Sequence, residues 1–234
     1  MHQHDGQYFE LSFKQFLFYF ILSLTLDALG NGLSVSTNLG SAPWTAGAAN
    51  LAHLTGLPIA LYLGLTTVLV ATANIFFARK LDWRRFFGNI LFGILFSLMA
   101  GFFTSWFMTL GINHFPLWSK VVIDIIGLST IGVGISIYQR VNVILHPIDD
   151  LTNILRFSYF HGSAPKAQMS NFFVAIFISL ICWLLSGTVV ALNIGTAFAF
   201  LCQGSIIAWS DRFVFPALVH GNMDKSHKDI PQQN

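Results

Sequence analysis

Two short apolar segments, each opened by a proline and each followed by two long apolar runs, constrain this chain more than any other feature. The first reads Leu39-Gly40-Ser41-Ala42-Pro43-Trp44-Thr45 and continues to Thr55-Gly56-Leu57-Pro58. The second reads Leu145-His146-Pro147-Ile148-Asp149-Asp150-Leu151 and continues to His161-Gly162. A helix from Pro43 to Thr55 rises only about 20 Å, short of the roughly 30 Å hydrocarbon layer of a bilayer. Proline is well placed at a first helical position, where its missing N–H would have had no intrahelical partner, and Ser41 or Ala42 would cap it. In the second copy Asp149 and Asp150 bring negative charge to the first turn, where the helix dipole favours it. Re-entrant and flat interfacial placements both suit the first segment. Trp44, Ala48, Leu51 and Leu54 form one apolar stripe, with Thr45, Asn50 and His53 on the polar side.

The medium around these segments follows from composition. Of the residues, 54% are hydrophobic and 9% charged, whereas a soluble domain carries about 25% charged residues. That excludes a soluble enzyme. Six runs are long enough to cross a membrane: 15–35, 58–78, 86–109, 117–138, 169–192 and 194–212. With six crossings, one side holds Lys14, Arg79, Lys80, Arg84, Arg85, Arg140, Arg156, Lys166, Arg212, Lys225 and Lys228, which is every Lys and Arg of the twelve except Lys120. The positive-inside rule makes that side cytoplasmic and puts both termini there. Counting the short segments as crossings would move the Arg79–Arg85 cluster outside, so that topology fails on charge as well as on length. Trp44, Trp83, Trp106 and Trp118 fall near span ends, as an interfacial aromatic belt requires. The first apolar run lacks a cleavage site and reads as an uncleaved membrane helix. His2 and His4 read as part of a solvated tail rather than a metal site. Cys182 and Cys202, inside apolar runs, read as free thiols. The net charge of +2 is too small to suggest nucleic acid.

The expected architecture is therefore a single all-α integral membrane domain over residues 1–234, with a polar C-terminal tail from about 217. Six transmembrane helices form two inverted three-helix repeats, 15–109 and 117–212, each with a short proline-led helix after its first span. Gly30-Asn31-Gly32-Leu33-Ser34 aligns with Gly132-Val133-Gly134-Ile135-Ser136. Small residues at this spacing let helix backbones approach closely in lipid, so Gly30, Gly32, Ser34, Gly132, Gly134 and Ser136 are candidate helix-packing positions. Three crossings per copy invert the halves, a design common among transporters. The Pro43 segment then faces outside and the Pro147 segment faces the cytoplasm.

The pattern of a Gly-x-Gly helix, then Leu-Gly-x-x-Pro-Trp, then Thr-Gly-Leu, with a degenerate second copy around Pro147-Ile148-Asp149, resembles the YczE/YitT-type bacterial multi-pass membrane proteins. The resemblance covers most of residues 25–210 and implies a bacterial inner-membrane location. In that pattern an aspartate commonly follows the Pro-Trp pair. Here that position is Thr45, while Asp149 keeps the acid in the second copy. The resemblance implies a fold and carries no reaction with it.

Asp27 and Asp124 are the acidic residues deep within the expected spans, and an intramembrane carboxylate is a candidate site by default. Counted from the span ends, both lie about 10–12 Å below the outer surface. Gln203 has a similar depth, so the three are expected to meet between the halves. A purely structural role, each aspartate hydrogen-bonded to a neighbouring helix, is the alternative. His146, beside Pro147, is a candidate for orienting a ligand or for an ordinary hydrated histidine. Arg156 is expected to pair with an ion or headgroup on the polar face of an interfacial helix.

These features point to a small-solute transporter or permease. Asp27, Asp124, Gln203, Pro43, Trp44, Pro147, Asp149 and Asp150 are the substrate- or ion-binding candidates, and a small solute or cation is the ligand. The alternative is a non-transporting scaffold or regulator that docks a partner through the 139–168 stretch. No catalytic, metal or cofactor motif is recognisable, so no enzyme is expected. The bilayer is the expected environment, and oligomeric state is not legible.

Overall fold

The computed structural model describes residues 2–4, 7–79 and 81–220, without the side chains of residues 2–8 or of Ala60. Asp5, Lys80 and the tail from residue 221, with Lys225 and Lys228, lie outside the described residues. Among the described residues there are eight α-helices: α1 (Phe13–Ser36), α2 (Pro43–Thr55), α3 (Ile59–Phe77), α4 (Trp83–Thr109), α5 (Leu117–Val141), α6 (Pro147–Ser158), α7 (Ala164–Ser186) and α8 (Ile194–Phe213). A small antiparallel hairpin, β1 (His2–His4) with β2 (Gln7–Phe9), precedes α1. The all-α expectation is thus amended by one two-stranded ribbon at the N-terminus.

Among the described residues, α1, α4, α5 and α7 are long and apolar enough to cross a bilayer, the signature of a membrane protein. Helix α3 contributes a shorter apolar run, Leu61–Phe77, and α8 is diluted by Gln203, Asp211 and Arg212. Large apolar side chains such as Phe76, Leu98, Trp118 and Leu184 stand exposed on the outside. That surface suits lipid rather than water.

Local chemistry sets the helix boundaries. Ser12 caps α1 in a reciprocal pair with Gln15, Asp82 caps α4 through the Arg85 amide, and Asn193 caps α8 with Thr196. Helix α7 begins at Ala164 and stops at Ser186, earlier at both ends than the expected 169–192. Pro165 fits its first turn, and Gly187 takes a left-handed conformation (φ 72°) that ends it. The second short helix ends at Ser158, before the expected His161-Gly162.

Helices α1 and α5 form the central pair, running antiparallel. Gly30 lies against the backbone of Gly127, and Gly134 lies against Ser23 and Asp27. A β-carbon at Gly30 would stand 2.5 Å from the Gly127 carbonyl oxygen, so only glycine admits this approach. The remaining contacts come in matched sets. As α1 packs on α4, α5 packs on α8; as α2 packs on α7, α6 packs on α3. Gly32 faces Phe103 and Thr104 of α4, and Gly132 faces Ile206 and Gln203 of α8. Gly32 and Gly132 thus each admit a neighbouring helix, α4 and α8 respectively.

Ser34 and Ser136 each donate a hydrogen bond to an aspartate, Asp124 and Asp211 respectively. Cys182 and Cys202 are free.

Candidate functional site

The short helices enter the bundle from opposite ends. The C-terminal end of α2 lies beside the start of α3, where Tyr62 donates to Thr55, and beside the α7–α8 loop, where His53 meets Thr188 at 2.7 Å. The far end of α6 lies beside the opposite end of α3, with Tyr159 edge-on to Phe77. Neither helix spans the bundle, and their starts converge inside it. Trp44 Nε1 donates to Asn171 Oδ1 at 3.2 Å. The same Asn171 amide donates to the Ile148 carbonyl and, at 2.7 Å, to Thr152 on α6. One side chain of α7 therefore links the two helix starts.

Between these starts lies a cavity of about 340 Å³ lined by residues of all eight α-helices. The α2 start contributes Ala42, Trp44 and Thr45, and the α6 start contributes His146, Ile148 and Asp149. Asp27 and Asn31 of α1 and Gln203 of α8 add polar groups. Trp44, Phe96, Phe172, Leu128, Ile131 and Ile135 give it an aromatic and aliphatic wall. A pocket of this size, mostly apolar with a few convergent polar groups, is the usual form of a small-molecule site.

The acidic end is held by Tyr138, whose hydroxyl donates to Asp149 Oδ2 at 2.6 Å. His146 Nδ1 stands 3.7 Å from Asp149 Oδ2. Gln203 is 2% exposed, and neither amide atom has a protein partner. A buried amide left in this state loses both hydrogen bonds it made to water. Pro43 and Pro147 are themselves buried and form the first turns that turn α2 and α6 inward.

The structure separates residues that the sequence brought together. Asp27 and Gln203 line the cavity, whereas Asp124 does not. Asp124 accepts from Ser34 and is wedged against Gly195. Because α1 and α5 are antiparallel, Asp27 lies opposite Gly134, ten residues along α5 from Asp124, or about 15 Å. The equal depths expected of the two aspartates do not hold, since counting from span ends ignores the stagger between helices.

Asp150 also lies away from the cavity. It is fully buried and forms a close ion pair with Arg85, with Asn89 donating at 2.8 Å and Asn74 at 3.4 Å. Arg156 pairs with Asp211 at 2.7 Å rather than with its own helix neighbours. Asp149, Asp150, Asn153 and Arg156 are all buried, so the polar face of α6 meets protein and not a water interface.

Several residues that shape the site gave no sequence signal. Tyr138 sits at the end of an apolar span, and Asn171, Asn74 and Asn89 are single amides within long helices. Arg85 read as one charge in a cytoplasmic cluster. Their partners are distant in the chain, so no spacing rule could find them.

Residues 13–212 match the family of unknown function DUF6198. The chain belongs to this family. The DUF6198 match runs from the first residue of α1 into the last turn of α8, so it embraces the whole bundle and the cavity. The chain is 29% identical over 143 residues to the uncharacterized protein YyaS of Bacillus subtilis (strain 168), covering 59% of this chain and 67% of that protein. It is 26% identical over 187 residues to an uncharacterized protein of Haemophilus influenzae, covering 80% of this chain and 79% of that one. The YczE/YitT-type grouping is not part of what these matches establish. No solved structure matches the chain.

Proposed function

We propose that this DUF6198 protein is a small-solute permease whose substrate binds at the convergent starts of α2 and α6. One observation carries the reading: two proline-led helices, each too short to span the bundle, enter it from opposite ends and line one cavity with Asp27 and the unpartnered Gln203. Discontinuous helices that meet near the midplane expose main-chain amides to a ligand, and inverted repeats bring two such helices together. The matched contacts of α1–α4 and α5–α8 support that repeat, and the reading carries with it six crossings, cytoplasmic termini and a bacterial inner-membrane location.

In this mechanism one half rocks against the other about the α1–α5 seam. The glycines there keep the axes close enough to pivot without opening the core. Tyr138, Asp149 and Asp27 form the polar floor on which a solute or cation rests. No bond is made or broken, so the protein is not an enzyme. The scaffold alternative requires an accessible 139–168 stretch, and the burial of Asp149, Asp150, Thr152 and Ile154 weighs against it.

Uptake of a solute panel into proteoliposomes tests the proposal. A transported solute is expected to lose at least about tenfold in rate in both Asp27→Asn and Gln203→Leu, the size of one lost buried polar contact. Wild-type uptake by both variants would remove the cavity from the mechanism.

A further inference from the structure

The two helix starts that share the cavity carry unequal charge. Neither helix has a side-chain cap, but α6 has Asp149 and Asp150 in its first turn, whereas α2 has no acid there. The repeat puts Thr45 where α6 has Asp149. Proline removes the first amide hydrogen of α2, which leaves the N–H groups of Trp44 and Thr45 at the bare positive end of a helix dipole. Among the described residues the cavity wall contains no Lys or Arg; its acids are Asp27 and Asp149, and His146 stands 3.7 Å from Asp149. Arg85 of α4 is engaged by Asp150.

The cavity thus has an acidic, cation-accepting pole at Asp27 and Asp149 and a positive pole at the start of α2. Gln203, 2% exposed with both amide atoms unpartnered, offers an NH2 donor group and a carbonyl acceptor to whatever sits between them. Resting on the permease reading above, we propose that the cavity takes a small zwitterion, an amino-acid-like solute. Its ammonium group lies at Asp27 and Asp149 and its carboxylate at the α2 start.

Each simpler ligand leaves part of this site unmet. A plain cation satisfies the two carboxylates but leaves the α2 amides and the Gln203 donor empty. A plain anion satisfies those donors but puts like charge beside Asp27 and Asp149 in a low-dielectric enclosure. An uncharged solute meets neither pole. The aromatic wall of Trp44, Phe96 and Phe172 suits an apolar side chain, and ring faces also attract an ammonium group. A volume of about 340 Å³ fits a solute of amino-acid size.

Matched probes separate the poles. Leucine, isoamylamine and 4-methylpentanoate share one carbon frame, as do phenylalanine, phenethylamine and 3-phenylpropanoate. Binding to the full-length protein in nanodiscs is measured by calorimetry. At least one zwitterion is expected to bind about tenfold or more tightly than the amine and the acid of its own set. Asp27→Asn is expected to weaken the zwitterion and the amine but not the acid. Thr45→Asp, which gives α2 the acid that α6 carries, is expected to reduce the zwitterion to the affinity of its amine. Thr45→Asn, of like size and uncharged, is expected to retain binding, which separates charge from misfolding.

An amine equal to its zwitterion overturns the proposal, as does an acid that binds best or a Thr45→Asp variant with unchanged affinity. If none of the six probes binds while another solute of the panel is taken up through the cavity, the zwitterion class falls and the permease reading stands. If nothing is bound and nothing is taken up, both fall.

Discussion

Helices α2 and α6 begin alike and are held differently. Both start with proline, both are buried at that start, and both run outward from the same cavity. Helix α6 is locked by charge: Arg85 and two asparagines from α3 and α4 close on Asp150, and Tyr138 and Asn171 hold the adjoining turn. Helix α2 is held by neutral bonds to the second half, with Asn50 donating to and accepting from Val190 and Trp44 donating to Asn171.

The difference extends to the long helices. In the second half, α7 and α8 meet closely at Gly204, where a β-carbon would stand 2.5 Å from Pro165 Cα. By contrast, a β-carbon at Gly64 of α3 or Gly101 of α4 would meet nothing within 4 Å. The cavity reaches this seam, where Leu63, Thr67, Ser97 and Gly101 form its wall. The α7–α8 contact is thus close at Gly204, while Gly64 and Gly101 stand free of neighbours. An element fixed by a desolvated ion pair opens only by breaking it, whereas neutral hydrogen bonds exchange readily with water.

The comparison can be broken at its strongest point first. Asp150→Ala leaves Arg85 facing two asparagines without its counter-charge, and a loss of about 3 kcal/mol is expected because one partner of a buried pair remains. Thermal unfolding in detergent reads this, and an unchanged midpoint would mean that α6 is not held by charge. Next, Gly204→Leu is expected to cost about 2 kcal/mol by overpacking, whereas Gly101→Leu at the open seam is expected to be neutral or to gain slightly from helix propensity. Equal effects at the two sites would erase the contrast between the seams.

Asn50→Ala removes the paired bonds to Val190 and is expected to cost about 1 kcal/mol. It should raise hydrogen exchange in α2 while leaving α6 unchanged. The smallest effect concerns the loop after α8. His220 packs on Phe157, and its Nε2 lies 3.2 Å from Asp211. Burial lowers its pKa below the usual 6.5 despite the opposing pull of Asp211, with Arg156 and Arg140 adding to the lowering. The folded state then binds fewer protons than the unfolded one. Stability is complete above about pH 6.5 and declines as pH falls toward the folded value. A drop of roughly 2 °C between pH 7.5 and 5.5 is expected from this residue, and the difference between wild type and His220→Gln should reproduce it.

Much of the fold was legible because lipid and helix geometry act locally. The helix from Pro43 to Thr55 follows from proline at N1 and Gly56 at a left-handed C-cap. The spans follow from uninterrupted apolar length. The site was legible in part: Asp27, Gln203, Trp44 and Asp149 line the cavity, while Asp124 and Asp150 belong to other contacts. Depth counted along single helices could not reveal this, because the α1–α5 stagger arises from glycines meeting across the seam. Tyr138 and Asn171 escaped notice for the same reason, each being defined by partners on other helices.

The sequence by itself determined the short proline-led helices, the long apolar runs and the charge difference between Thr45 and Asp149. These depend on neighbours within a few turns and on the solvent around them. Only the tertiary structure decided that the two helix starts face one cavity, that α6 is clamped by charge while α2 is not, and that Asp27 and Asp124 stand apart. Each of those depends on which side chains of distant helices fill the space left by a missing β-carbon. Close packing makes that choice, and no local pattern encodes it.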